Sequence, residues 1–100
     1  MAGWDTVREI VSGFPEVVEE PGGRAAWRVL GKLFAWEARD RDGGGLAVRV
    51  DRDEKQLILD SNPDVYFTSP HYRGYPGVQI RLEAISRDEL AQRLEDAWLI

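Results

Sequence analysis

Residues 1–100 predict one α+β domain of two layers, a mostly antiparallel sheet of about five strands with helices at both termini and a short middle helix. Three observations carry that reading. The stretch from Arg24 to Arg39 alternates in character on either side of a glycine-containing turn, as a hairpin with one buried side does. Runs of alternating Val, Ile and Leu recur at residues 46–50 and 78–82. Residues near either terminus instead repeat apolar side chains every three or four positions behind capping residues.

Taken in order, Thr6 to Ser12 reads as the first helix, with Trp4, Val7, Ile10 and Val11 on one face. Thr6 and Glu9 have the spacing of a capping box, and Gly13 suits the position after the last helical residue. Glu16, Glu19 and Glu20 form an acidic run that reads as a solvated loop rather than a metal site, ended by Pro21-Gly22-Gly23. With Gly31-Lys32 as a two-residue turn, Val29 pairs with Phe34, Trp27 with Trp36 and Ala25 with Ala38. All six then share the buried face, so both tryptophans are read as core rather than as a stacking surface.

Asp40 to Gly45 reads as a loose connection; its three glycines lack the Gly-Lys-Ser/Thr continuation of a phosphate loop. Leu46, Val48 and Val50 form a strand with Arg49 on the far side. Asp51 then caps a short helix running to about Leu59, closed by Asn62-Pro63. Asp51, Asp53 and Glu54 resemble the start of a calcium loop, but its glycine and distal glutamate are missing. Val65 to Phe67 makes a short strand and Gly77 to Glu83 a longer one. Ser86 opens the last helix with a capping box to Glu89 and an Ile85–Leu90 staple. Leu90, Leu94, Ala97 and Trp98 line its core side.

Composition narrows the function classes. The chain is 43% hydrophobic and 31% charged, an ordinary globular balance, and carries no cysteine. Disulfides, thiolate metal sites and cysteine nucleophiles are therefore excluded, and a reducing, cytoplasmic setting is expected. The N-terminal stretch, with Asp5 and Glu9 and no apolar run, is not expected to be a signal peptide, and no membrane partner is expected. A net charge of -5 speaks against a broad polyanion-binding surface and leaves room for a local one.

Val65 to Leu82 is where a local site is expected. It holds all three tyrosines, the one histidine and no Asp or Glu. Pro70, Gly74, Pro76 and Gly77 shape an irregular loop leading into a strand, an arrangement that places binding residues well.

The order Gly13-Phe14-Pro15 followed by Glu19, then Trp27-Arg28-Val29, Gly31-Lys32-Leu33-Phe34-Ala35, Phe67, Pro70-His71-Tyr72, Val78-Gln79-Ile80-Arg81-Leu82 and Glu89-Leu90 to Ala97-Trp98 resembles the MmcQ/YjbR-like family over nearly the whole chain. The resemblance implies a bacterial cytoplasmic protein of a CyaY-like (frataxin-like) fold, also described as a double-wing domain. It further implies a DNA-binding label, with the family's function poorly established. One departure stands out: an aromatic is expected where this chain has Gly77.

Two function classes follow. In the first, Arg28, Lys32, Arg49 and Arg81 form a cationic sheet face that binds DNA weakly and with strong salt dependence. In the second, His71, Tyr72, Arg73 and Tyr75 form a contact loop for a protein or small ligand, since Tyr and Arg are enriched at binding hot spots. Neither reading calls for catalysis, a metal or a cofactor. One histidine and no cysteine leave few ligands, and no second base stands at motif spacing from His71.

Overall fold

The structure, a computed structural model, describes residues 2–100. Helix α1 (Trp4–Val11) leads into β1 (Val17–Glu19), β2 (Ala26–Val29), β3 (Lys32–Glu37) and β4 (Leu46–Arg49). Helix α2 (Lys55–Ser61), strands β5 (Tyr66–Phe67) and β6 (Gly77–Ile80) and helix α3 (Arg87–Leu99) complete it. The six strands form one antiparallel sheet in the order β1-β2-β3-β4-β6-β5. The fold class is as expected, the added strand being β1. Val17 and Val18 lie opposite Val29 and Arg28, so part of the acidic run is sheet rather than loop.

One face of the sheet packs against the helices. Trp27, Phe34, Ala35, Leu46, Val48, Val78 and Ile80 meet Val7, Val11, Ile58, Leu90, Leu94 and Ala97 in a single core. The helix starts follow local chemistry. Ser86 Oγ accepts the Glu89 N–H at 3.1 Å, and Asp51 accepts the Asp53 N–H at 2.8 Å. Glu89 does not return a bond to Ser86; its carboxylate takes the Tyr66 hydroxyl proton in hydrogen bonding instead. Burial, and then this bond, push the Tyr66 phenol up to about 12. At the first helix the cap is Gly3 and not Thr6. Thr6 sits one turn inside and its Oγ1 accepts the Gly3 N–H at 3.2 Å, so the expected Thr6–Glu9 box is absent.

The hairpin differs from expectation in both turn and register. Val29 faces Lys32, which makes Leu30-Gly31 the two-residue turn, with φ of 50° and 82°. Two left-handed residues in succession belong to a type I′ turn, whose twist matches the strands. Arg28 faces Leu33 but Trp27 faces Ala35, so Phe34 is the extra residue of a bulge. Phe34 and Ala35 both enter the core, and every residue beyond them changes side. Trp36 therefore lies opposite Ala26 and Ala47, on the face away from the helices. The expected Trp27–Trp36 pair is overturned, and a common core containing both indoles with it.

That second face is not open. Trp36, Ala38, Ala47, Tyr72 and Tyr75 pack there as a second cluster. The segment 40–45, expected to be loose, is ordered against the same face. It forms a 3-10 turn at Asp40–Asp42, then Gly43, Gly44 and Gly45 at φ of 96°, 68° and 79°. Gln79, fully buried, reaches up to it and donates to the Asp42 carbonyl at 2.7 Å and the Gly44 carbonyl at 3.0 Å.

Candidate functional site

The loop between β5 and β6 is built from successive turns. The Tyr72 N–H bonds the Ser69 carbonyl at 2.9 Å, the Tyr75 N–H the Tyr72 carbonyl at 3.0 Å, and the Gly77 N–H the Tyr75 carbonyl at 2.8 Å. Pro76 cannot donate, but its carbonyl accepts the Val50 N–H at 3.1 Å and ties the loop to the end of β4.

Two side chains outside the loop fix it to the body. The Trp36 indole N–H donates to the Tyr72 hydroxyl at 2.9 Å, while Tyr75 stands edge-on to the same indole at 5.7 Å. Tyr72 is buried by this arrangement. On the other side, the Lys55 ammonium donates to the carbonyls of Tyr72, Arg73 and Tyr75 at 2.5, 3.2 and 2.6 Å. All three of its protons are then used. Burial of Lys55, and next the neighbouring Arg52 charge, push its ammonium below the usual lysine value. Arg52 itself donates from Nη1 to the Gly74 carbonyl at 3.0 Å.

Of the expected contact residues, His71 and Arg73 are exposed, Tyr75 is half-buried and Tyr72 is buried. Tyr72 therefore anchors the loop, and the surface belongs to the other three. His71 stands perpendicular to the Tyr72 ring at 4.9 Å, with its outer side in solvent. Lys55 and Arg52 were absent from the sequence reading. The one available signal was a lysine at the start of a helix, where the helix dipole disfavours a cation.

The four expected sheet-face cations have different immediate surroundings. Arg28 is ion-paired with Glu20 and bonds the Gly31 carbonyl at 3.1 Å, beside a groove floored by Leu33 and Trp36. Lys32 is exposed at the hairpin end. Arg49 lines a different cleft, shared with Asp51, Glu54 and Asp96. Arg81 lies past the end of β6, stacked over Phe67 at 4.3 Å and donating to the Pro63 carbonyl at 3.2 Å. Among the described residues no group of three His, Asp or Glu side chains is placed to hold a metal, and no helix is long and apolar enough to cross a membrane. Asp51 is occupied as a helix cap, as its position suggested.

Gly77 explains its own departure from pattern. A Cβ there would lie 3.0 Å from the Val48 carbonyl oxygen and point at the Trp36 ring, 3.9 Å away. An aromatic at residue 77 and the present placement of Trp36 would compete for the same space.

If Lys55 holds the loop, Lys55→Met should cost about 2 kcal/mol, the range for hydrogen bonds to a charged group. Amide exchange in residues 71–77 should accelerate while that of the hairpin stays slow. Unchanged exchange in the loop would show that Trp36 and Tyr72 suffice to hold it.

A family model described as YjbR matches residues 12–100. An uncharacterised protein of Mycobacterium bovis and one of Mycobacterium tuberculosis are each 38% identical to the chain over 116 aligned residues, covering 100% of it and 88% of their own length. No solved structure matches.

Proposed function

Because the chain belongs to the YjbR family, in which these mycobacterial relatives carry no assigned activity, we propose a function from its geometry: a binding module without catalysis, using loop 70–77 as its contact surface. The observation that carries this reading is the double tethering of the loop, by Trp36 from the sheet and Lys55 from α2. A loop held in shape before contact loses little entropy on binding. His71, Arg73 and Tyr75 then offer a ring edge, a guanidinium and a phenol from a rigid base, and Arg and Tyr are enriched at binding hot spots.

Weak DNA binding is a second reading. It is favoured by Lys32 and Arg81, both exposed and without a carboxylate within 4 Å among the described residues. Arg28 supports it less, being neutralised by Glu20.

One titration separates the two. Amide spectra of the labelled protein are recorded with a panel of nucleotides, sugar phosphates and aromatic amino acids, and with a short duplex. The module reading expects shifts concentrated in residues 71–75 that disappear in a His71→Ala, Arg73→Ala double variant of unchanged melting temperature. Shifts confined elsewhere, or none from any probe, would refute it. Duplex binding through the sheet-side cations should be no tighter than roughly 10⁻⁴–10⁻⁶ M and should vanish on Lys32→Glu with Arg81→Glu. Indifference to that reversal would end the DNA reading.

A further inference from the structure

Beside the contact loop lies a cleft of about 260 Å³ whose walls include Arg52, Lys55 and Arg73, with Gln56, Thr68 and Tyr75. Three cations line it and no carboxylate does, in a chain of net charge -5. Among the described residues none of the three has a carboxylate oxygen within 4 Å, although Arg8, Arg28, Arg87 and Arg93 all do. The Lys55 ammonium lies below the usual lysine value, first because it is buried and next because the Arg52 charge is near.

We propose that this cleft is an anion site that takes the phosphate group of a small phosphomonoester. The proposal rests on the reading of loop 70–77 as a contact surface and names the ligand class for it. The division of labour follows from the hydrogen bonds. Lys55 has no proton left and contributes a fixed positive charge from behind. Arg52 spends one nitrogen on the Gly74 carbonyl and keeps the others, and the Arg73 side chain has no hydrogen-bond partner among the described residues. Two guanidinium forks with free N–H groups suit a tetrahedral dianion, which each can meet through two oxygens. Thr68 stands in the wall, its hydroxyl buried and without a hydrogen-bond partner among the described residues. The Tyr75 ring supplies an apolar side for whatever the phosphate is attached to.

A nucleic acid backbone fits the same place poorly. Polyanion binding needs cations continued along a surface. Here Asp51, Asp53 and Glu54 sit in and beside the turn that carries Arg52, and Asp60 lies one turn along α2 from Gln56, which bonds it at 3.0 Å. A compact dianion between the arginines avoids these carboxylates, and a long strand would run across them.

The test uses the intact chain with three probes at constant ionic strength: inorganic phosphate, adenosine monophosphate and adenosine. Phosphate and the monophosphate should both shift the amides of residues 52–56 and 68–75, the monophosphate more strongly, while adenosine shifts them little. Arg73→Ala, an exposed change that breaks no recorded bond, should weaken monophosphate binding by about tenfold or more, the effect of one lost ion-pair contact. Arg52→Gln should do likewise. Absence of shifts at millimolar phosphate and monophosphate, or binding untouched by Arg73→Ala, would overturn the anion site. Equal response to phosphate and monophosphate would assign the site to the free ion and overturn the monoester assignment. Should adenosine alone move residues 71–75, the contact loop stands and the anion assignment falls; silence of the loop toward every probe removes both.

Discussion

Replacing Trp27 with alanine should remove about 3–5 kcal/mol of folding free energy, the usual cost of deleting a fully buried large aromatic. The indole is 1% exposed, stacks on Trp4 at 6.4 Å between ring centres, and donates its N–H to Glu19 Oε1 at 3.0 Å. For a small domain with a total stability of about 5–15 kcal/mol, that loss leaves a large unfolded fraction. Trp36→Ala should cost clearly less, because Trp36 packs at the rim of the smaller cluster and its main polar partner, the Tyr72 hydroxyl, can turn to water. Urea denaturation of both variants measures the difference. Equal losses would mean that the second cluster contributes to stability as fully as the helical core does.

Gly45→Ala should be the most damaging change to a small residue. At φ of 79° a side chain adds the left-handed penalty of about 1–2 kcal/mol. Its Cβ would also stand 2.6 Å from the Ile80 carbonyl oxygen, a backbone atom of β6 that cannot swing aside. Overpacking of that kind costs roughly a further 1–3 kcal/mol. Gly44→Ala, where the nearest atom is an Asp40 carboxylate oxygen at 3.7 Å, carries the conformational penalty alone and serves as the control. A smaller loss at residue 45 than at residue 44 would show that segment 38–45 lifts off the sheet without harm.

Much of the fold was legible because its signals are local. Ser86, Asp51 and the alternation in residues 46–50 and 78–82 each act within a few positions. Ser86 and Asp51 cap helices as suggested, and the alternations became β4 and a β6 that stops at Ile80, Leu82 opening a 3-10 turn where strand was expected to run on to Glu83. The hairpin failed for an equally local reason. Gly31 could serve as either turn residue, and the choice was made by Leu30 accepting a left-handed φ. The bulge at Phe34 then reversed the side of Trp36, and no sequence period shows a bulge. The acidic run hid β1, because a strand of three residues is too short to alternate visibly.

The site was half legible. Aromatic and proline content marked an irregular loop, which the chain forms between β5 and β6, but not which tyrosine would point inward. That depended on Trp36 reaching the far face and on a bond spanning 36 positions of sequence. Lys55 and Arg52 enter through the same kind of distant contact, 17 to 22 positions away from the carbonyls they hold. The three sheet-face arginines, with Lys32 at the hairpin tip, share a face on paper. Ion pairing then engaged Arg28 and stacking engaged Arg81, neither of which the sequence shows.

The strand order has a consequence for behaviour in crowded solution. The two outermost strands, β1 of three residues and β5 of two, are the shortest in the sheet. Unpaired backbone donors and acceptors along an exposed rim are what invite another chain to add itself edgewise, and short rims offer such a chain too few bonds to offset the entropy of joining. At one rim, Glu16 turns the chain aside with φ of 63° just before β1 begins, and Glu19 and Glu20 close it with charge. Protection against aggregation in this chain is thus a matter of brevity, placed at the margins where a sheet is most open to strangers.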